Sequence, residues 1–447
     1  DRLVPDGASA TASGRTTIQF TNLGGLGAAT TGNGIEVVSA QNGATTTAPT
    51  SRDALAVPGG HVDAGAYEYR LYPADADGGG ENWFLRTTAA VQPTAAAPAP
   101  PGSPPDAPPS PPGSPTVATP APRIEVPTYR AEVPLFAALP MQLRQGNLAM
   151  LGNLHQRVGD EDLDAAPGTP GERRAWARLI SADLDLRQEG AVAPASQGRL
   201  NGLQTGVDLY ADAAWRAGLY AGQLEGSPDV TGFARGIADL PVGSNDLRSQ
   251  YLGGYLTYDS TAGFYADLVL QGGRHRQTLE PLQNASVESK GSSALASIEL
   301  GQSFALSPHW KIEPQLQLVY QNLNLDDTTL GGATVQQRGG SNWLARIGVR
   351  AKGEVGTGAG LLQPYARLNF YRSGGGDDVT RFVGPAGGTD IASGADASWG
   401  EVAAGLTLTL SPQVSLYGEA GQLFSVGGGD TQVRSDLQGS LGLRVRW

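Results

Sequence analysis

The residue types that most often carry out chemistry in proteins are few in this sequence. It has no cysteine, and its four histidines, His61, His155, His275 and His309, form no His-x-x-x-His pair of the kind that binds zinc. No nucleophile stands beside a recognisable base. The sequence therefore predicts no catalytic residue, no metal site and no cofactor.

Acidic and glycine-rich loops do not change this prediction. Asp326-Asp327 and Asp377-Asp378 fall in predicted loops, where we expect solvated charge rather than a site for a divalent cation. The glycine runs 374–376 and 427–429 precede no Lys-Ser/Thr in a strand-to-helix turn, so no phosphate-binding loop is predicted.

Composition narrows the class of protein. The net charge of −12 argues against a nucleic-acid partner. The chain has no run of about 20 apolar residues, the length that a membrane-spanning helix needs. Such a chain can cross a membrane only as a closed β-barrel, because every backbone polar group must be paired within the bilayer.

The last stretch, 437–447, has the alternation that a barrel strand needs. Leucine, valine and tryptophan occupy one face, whereas arginine, glutamine and serine occupy the other. The same pattern recurs from Arg174 onward, and each segment exceeds the ~9–11 residues that cross a bilayer with tilt. Twelve strands are predicted, at about 175–187, 199–211, 213–225, 247–258, 262–275, 292–306, 310–322, 341–353, 361–373, 397–410, 413–425 and 432–447.

Short and long connections alternate between these strands. Short ones include 259–261, 307–309 and 411–412, and long ones include 226–246, 276–291, 323–340 and 374–396. Outer-membrane barrels have this arrangement, with short periplasmic turns and longer outer loops. Both ends of the barrel are then expected on the periplasmic side.

The segments ahead of the barrel have three different characters. Leucines and a valine recur at helical spacing within about 135–158, and the other faces are polar, which favours a helix in a hydrophilic lumen over a surface helix. Residues 93–122 are rich in proline and predict an extended spacer. Residues 1–92 carry short β-like runs, expected to be the last rungs of a parallel β-helix, with a small β-sandwich as the alternative.

Several motifs together resemble the translocator end of the monomeric autotransporters of type V secretion, and within them the pertactin-like group. Residues 153–160 are similar to the family's junction motif. Strand motifs of the family are similar to residues 176–178, 253–258, 263–267, 313–315 and 363–365, and the terminal aromatic matches the signal that the barrel assembly machinery reads.

The resemblance implies an all-β fold with one helix. A twelve-stranded antiparallel transmembrane barrel with a lumenal helix would follow a Pro-rich linker and a β-helix-like passenger remnant. The implied domains are the passenger end, with autochaperone character, the linker, the helix with the junction, and the translocator barrel, over 1–92, 93–127, 128–170 and 171–447.

The resemblance also implies a function and partners. The barrel would export its N-terminal passenger and anchor it in the bacterial outer membrane, with residues 1–122 on the cell surface and the helix at about 135–158 plugging the pore. Implied partners are outer-membrane lipid, the barrel assembly machinery, periplasmic chaperones and the chain's own passenger. A monomer is expected, and no nucleic-acid partner.

The junction departs from the family pattern. Members that release their passenger cut beside an asparagine whose side-chain amide attacks its own backbone carbonyl. That position falls on Gly152 here, with Asn153 on the product side, so no self-cleavage is expected unless the register slips by one. Glu313 and Glu401 are candidate helpers in that case.

The remaining predicted sites are contacts inside the lumen, the assembly signal and the membrane interface. Polar contacts in the lumen are expected for Arg144, Asn147 and Arg157 of the helix, and the two arginines are expected to meet acids of the lumen wall. These acids are Asp208, Asp267, Glu313 and Glu401, with Asp183, Asp185 and Glu299 as further candidates. The assembly signal is Leu443, Val445 and Trp447, and the interface tryptophans are Trp215, Trp343, Trp399 and Trp447.

Two alternatives stay open. In the first, the chain is a stand-alone outer-membrane porin or channel with a surface domain. In the second, it anchors an enzyme or adhesin passenger that lies outside this sequence.

Overall fold

The computed structural model describes residues 2–12, 14–47, 54–91, 124–160 and 172–447. Most of the predicted Pro-rich linker lies outside the described residues. Within them, no helix has both the length and the apolar character needed to cross a membrane. The chain forms two compact units, one made of 1–21, 29–63 and 67–129, the other of 22–28, 64–66 and 130–447.

The described residues of the N-terminal unit form short strands and one 3₁₀ helix, Pro58–Gly60. The strands are β1 Thr16–Thr17, β2 Ile35–Val38, β3 Leu55–Ala56, β4 Val62–Ala64, β5 Tyr67–Pro73, β6 Trp83–Arg86, β7 Thr88–Val91 and β8 Ile124–Pro127. Parallel contacts join β1 to β3, Leu3 to Val38 and Thr11 to Thr45, as expected of stacked β-helix rungs. An antiparallel sheet with the order β2-β6-β5-β4 follows, and its core contains Trp83 and Tyr69.

The long segment of the second unit, residues 130–447, begins with two helices, α1 Glu132–Leu151 and α2 Leu154–Val158. The strands after them are β9 Arg174–Gln188, β10 Ala195–Ala211, β11 Trp215–Gly226, β12 Asp229–Ala234, β13 Ile237–Asp259, β14 Phe264–Pro281, β15 Val287–Gln302, β16 Phe304–Ser307, β17 Trp310–Leu325, β18 Thr328–Leu330, β19 Ala333–Arg338, β20 Ser341–Gly353, β21 Val355–Thr357, β22 Gly360–Gly374, β23 Asp378–Gly384, β24 Gly387–Ser393, β25 Ala397–Ser411, β26 Val414–Ser425, β27 Thr431–Arg434 and β28 Gln438–Arg446.

Twelve of these strands close into an antiparallel barrel, which confirms the predicted fold class. Their order is β9, β10, β11, β13, β14, β15, β17, β20, β22, β25, β26 and β28. The last strand pairs with the first, with Leu443 opposite Ala177 and Arg444 opposite Trp176. Closure leaves no free strand edge, which a β-structure in lipid requires.

Side chains alternate between the two faces of the barrel wall. Outward positions carry large apolar residues such as Leu252, Leu270 and Leu441, each 59–64% exposed. Inward positions carry polar and charged residues such as Glu299 and Arg346, each 1% exposed. The outer face therefore suits hydrocarbon and the inner face suits a hydrated lumen.

Aromatic residues mark the two ends of the apolar band. Trp215, Trp310 and Trp447 are exposed at the end where the connections are short, and Trp343 is exposed at the end where they are long. The prediction for Trp399 is wrong. Its ring is 3% exposed inside the lumen and stacks on Tyr371 at 5.1 Å between ring centroids.

The short turns are held by local hydrogen bonds. Between β10 and β11, Asp212 accepts from Tyr210 Oη at 2.6 Å and from the backbone N–H groups of Ala214 and Trp215 at 2.8 and 2.7 Å. These hydrogen bonds, that from Tyr210 most of all, lower the pKa of the Asp212 carboxyl from its ordinary value. At the opposite end, β18, β19, β23 and β24 form a separate four-stranded sheet.

Candidate functional site

The lumen of the barrel is filled by α1, which is buried except for a half-buried stripe formed by Gln145, Leu148 and Ala149. Apolar side chains such as Leu135 and Phe136 are 0% exposed, and so are the polar side chains of Gln142 and Asn147. Polar groups that are buried in this way need hydrogen-bond partners. The barrel wall and the small sheet of β18, β19, β23 and β24 supply them.

A proline inside α1 creates one of these requirements. Pro140 has no N–H, so the carbonyl of Phe136 lacks its helical partner. Gln337 of β19 donates from Nε2 to that carbonyl at 2.7 Å. At the preceding residue, Asn245 Nδ2 lies 3.0 Å from the carbonyl of Leu135, and it also lies 2.9 Å from Gln142 Oε1. The small sheet therefore replaces the hydrogen bond that the proline removes.

Arg144 pairs with an acid that the sequence places in a loop. Its guanidinium binds both oxygens of Asp378, with 2.7 Å between Nη2 and Oδ1. Asp378 is 3% exposed at the start of β23, so the expectation of a solvated loop charge is wrong for this residue. Phe382 of the same strand packs edge-on against Phe136 at 5.9 Å. Two contacts thus fasten α1 to the small sheet.

Asn147 contacts amides and a hydroxyl of three different strands. Its Nδ2 donates to Gln321 at 3.3 Å, its carbonyl accepts from Gln271 at 3.2 Å, and its Oδ1 accepts from Ser293 at 3.2 Å. His275 lies behind Ser293, with 2.8 Å between Nε2 and Oγ. This part of the lumen is a neutral polar network.

The predicted single helix over 135–158 is two helices, because the chain breaks at Gly152. Its backbone has φ 60° and ψ −164°, a conformation that is essentially restricted to glycine. Asn153 then caps α2: its Oδ1 accepts from the Gln156 N–H at 2.8 Å, and Gln156 Oε1 accepts from the Asn153 N–H at 2.8 Å. This reciprocal capping box starts a new helix in a new direction.

The break predicts a difference between two glycine substitutions. Gly152→Ala should lower the free energy of unfolding by about 1–3 kcal/mol, because alanine rarely adopts that backbone conformation. The new Cβ would also meet the Arg178 guanidinium at 2.8 Å. Gly146→Ala is the matched control: its Cβ would meet nothing closer than 3.4 Å, so a gain of about 0.5–1 kcal/mol is expected within α1. Urea unfolding in detergent measures the free energy of unfolding of both variants. Equal effects of the two substitutions would contradict a helix break at Gly152.

Arg157 of α2 makes a contact that the sequence prediction names. It is 1% exposed, and its Nη2 lies 2.6 Å from Asp267 Oδ2. Asp267 Oδ1 accepts from Thr257 at 2.7 Å, and the guanidinium lies 5.6 Å from the centroid of the Tyr255 ring. Tyr417 donates to the Arg157 carbonyl. The pair is therefore enclosed by the wall.

Asp160, just after α2, is the centre of a cluster that sequence reasoning missed. It is 0% exposed and bound by both terminal nitrogens of Arg350, with 2.7 Å between Nη1 and Oδ1. Lys352 Nζ lies 3.7 Å and His155 Nδ1 3.5 Å from the same oxygen. His155 Nε2 in turn lies 2.9 Å from Glu313. No sequence signal links positions 190 residues apart, although the family motif does include Asp160.

The other predicted acids bind wall residues rather than α1. Asp208 pairs with Arg174 at 2.9 Å, and Glu401 pairs with Arg367 at 2.7 Å. Asp183 lies on the outer face, where it pairs with Arg199 at 3.4 Å. The expectation that it points inward is therefore wrong.

Asp185 lies two positions after Asp183 on β9 and therefore faces outward as well, so the expectation that it points inward is also wrong. Besides Asp267 and Glu313, two more acids contact the junction: Glu299 accepts from the Leu154 N–H at 3.2 Å, and Glu419 accepts from Gln156. A cleft of about 120 Å³, lined by Arg178, Arg346 and Glu419 among others, remains beside the helices.

Two family models match the chain. The model described as "Autotransporter beta-domain" matches residues 175–421, more than half of the sequence. The model described as "Autochaperone Domain Type 1" matches residues 1–71.

Curated relatives agree with these matches. "Probable autotransporter YcgV" of Escherichia coli (strain K12) is 30% identical over 234 residues, which cover 50% of this chain and 23% of that protein. "BrkA autotransporter" of Bordetella pertussis is 27% identical over 271 residues, which cover 57% of this chain and 25% of that protein. The chain thus spans about a quarter of the length of these relatives.

Among solved structures, the transport unit of the autotransporter AIDA-I from Escherichia coli has the same fold. The TM-score is 0.51 at 18% identity, and the alignment covers 70% of this chain and 99% of that one. The family match over residues 175–421 and the closed twelve-stranded barrel lead to one conclusion: the chain belongs to the autotransporter family, and its barrel is an outer-membrane translocator domain.

Proposed function

We propose that this chain exports the passenger to which its N-terminal unit belongs and then anchors it in the outer membrane, with α1 and α2 remaining as the plug of the pore. The observation that carries the proposal is the series of polar contacts that fastens the helices. These contacts run from Arg144 near the middle of α1, which binds the small sheet, to Asp160 beyond α2, which binds the wall. A segment that had passed through the lumen and stopped there would be held in this way.

The same fastening argues against a stand-alone porin. A porin needs an open, water-filled path through the barrel. Here α1 fills the lumen, and the cleft beside its half-buried stripe is narrow. Residues 1–92 are then the end of the passenger, 93–127 the linker, 128–170 the plug with the junction, and 171–447 the translocator.

The proposed partners follow from this role. Leu443, Val445 and Trp447 point outward from the last strand, where they are 36–59% exposed. They are therefore accessible to the barrel assembly machinery as well as to lipid. Periplasmic chaperones would act earlier, on the unfolded barrel, and the passenger is the cargo.

The junction is proposed to stay uncut. Gly152 has no side-chain amide that could attack the backbone, and Asn153 uses its side-chain oxygen to cap α2. The chain then carries no enzymatic activity of its own at this site. An adhesive or enzymatic activity would belong to the passenger.

A surface-display experiment tests the export and the uncut junction together. The chain is expressed in an outer membrane with an epitope ahead of residue 1, and cells are blotted with and without external protease. We expect one band near the chain mass of 46.1 kDa and loss of the epitope after protease treatment. A fragment starting near Asn153 would show self-cleavage, and an epitope protected from protease in intact cells would contradict export.

A further inference from the structure

The N-terminal unit brings one histidine and two carboxylates together. His61 immediately precedes β4, Asp63 lies within β4, and Glu68 lies on the neighbouring strand β5. We call these three residues the His61 cluster. One potential ligand atom from each lies within 4.8 Å of the others. Along the sequence they form no metal-binding spacing, because only the hairpin of β4 and β5 makes Glu68 a neighbour.

The two ring nitrogens of His61 face different carboxylates. Nδ1 lies 2.8 Å from Asp63 Oδ1, and Nε2 lies 3.9 Å from Glu68 Oε1. A neutral imidazole carries its proton on one nitrogen only. With that proton on Nδ1 and donated to Asp63, the lone pair of Nε2 points toward Glu68. This is the arrangement in which a carboxylate orients a histidine for a metal ion.

Glu68 is held rigidly in place. It is 0% exposed, its N–H donates to the Thr128 carbonyl at 2.9 Å, and its own carbonyl accepts from Thr128 Oγ1 at 2.7 Å. Its second carboxylate oxygen accepts from Arg70 at 3.1 Å. The side chains of His61 and Asp63 remain about one-fifth exposed, which leaves a route from solvent.

We propose that the His61 cluster binds a divalent transition-metal ion of the Zn²⁺ type. His61 Nε2 and Glu68 are the protein ligands, Asp63 orients the imidazole, and water completes the coordination. Bonds of about 2.0–2.2 Å from zinc to nitrogen and oxygen can bridge the 3.9 Å gap. The ion would join β4 to β5 in the unit that carries the autochaperone match.

Arg70 makes the proposal more specific. Its guanidinium binds the same carboxylate that the metal ion needs, so the positive charge of Arg70 and the metal ion compete for Glu68. Removing that positive charge should therefore strengthen metal binding, whereas a merely structural ion pair would show no such effect.

Titration of the full chain, refolded in detergent, with zinc chloride tests the proposal. We expect saturable binding of one ion by calorimetry, loss of binding in His61→Ala, and a 10–100-fold weaker affinity in Asp63→Asn. Arg70→Met should bind more tightly. His309→Ala, at an exposed short turn, is the matched control and should bind like the parent chain.

Thermal unfolding with zinc or with a chelator gives a second readout, independent of export. The unfolding temperature of the N-terminal unit should rise with zinc in the parent chain and stay constant in His61→Ala. The proposal is overturned if the parent chain shows no saturable binding, or if His61→Ala binds with unchanged affinity while its circular dichroism spectrum is native.

Discussion

Replacing Arg157 with glutamate should raise the ion conductance of the barrel in planar bilayers. Arg157 is 1% exposed and pairs with Asp267 at 2.6 Å, and its substitution by glutamate puts two carboxylates where one ion pair was. Breaking a buried pair in this way costs about 3–5 kcal/mol, because the remaining charge is left uncompensated. That cost is relieved if α2 separates from the barrel wall, so we expect the α2 part of the plug to leave the wall.

The conductance experiment has a matched control and a rescue. Arg199→Glu makes the same change of charge beside Asp183 at a side chain that is 43% exposed, and should leave the conductance unchanged. Adding Asp267→Arg to Arg157→Glu restores an ion pair of opposite polarity and should restore the low conductance. Each variant is checked for its folded band on unheated gels. A folded Arg157→Glu variant with parent conductance would show that this pair does not hold the plug.

The barrel was predictable because its signal is local. Alternation of apolar and polar residues within each strand is a property of about ten neighbouring residues. The two faces of a strand differ because one faces lipid and the other faces the polar lumen. Even the closing strand, with Leu441 and Leu443 on one face and Arg444 on the other, shows this in the sequence.

The wrong prediction for Asp183 and Asp185 has a physical reason. Near the end of the barrel with long connections, the inner face of β9 is apolar, with Leu184 and Leu186 buried. The outer face of the same part of β9 is polar, and Asp183 and Asp185 lie there. The polarity of the two faces is thus inverted relative to the membrane band, so a rule that puts acids inside fails for these two residues.

The contacts of the plug could not be predicted, because they join distant parts of the chain. Arg144 meets Asp378 across 234 residues, and no pattern within either segment names the other. The break at Gly152 also escaped prediction, since the leucine spacing continues through it and only the backbone conformation reveals it.

Removing Arg350 should be among the most damaging single changes in the lumen. Arg350→Ala leaves the carboxylate of Asp160, 0% exposed, without its bidentate partner, and a loss of about 3–5 kcal/mol in the free energy of unfolding is expected.

Adding Asp160→Asn to Arg350→Ala removes the buried charge that has lost its bidentate partner and should recover most of the loss. Arg248→Ala, at a side chain 68% exposed and paired with Asp246 at 3.0 Å, is the matched surface control, where about 0–1 kcal/mol is expected. Urea unfolding in detergent compares the four variants, counting the parent chain. If Arg350→Ala were no more damaging than Arg248→Ala, Asp160 would have to be solvated rather than buried, and the segment after α2 would not be docked. The recovery in the double variant distinguishes a buried Asp160 from a solvated one, because only a buried carboxylate gains stability from becoming neutral.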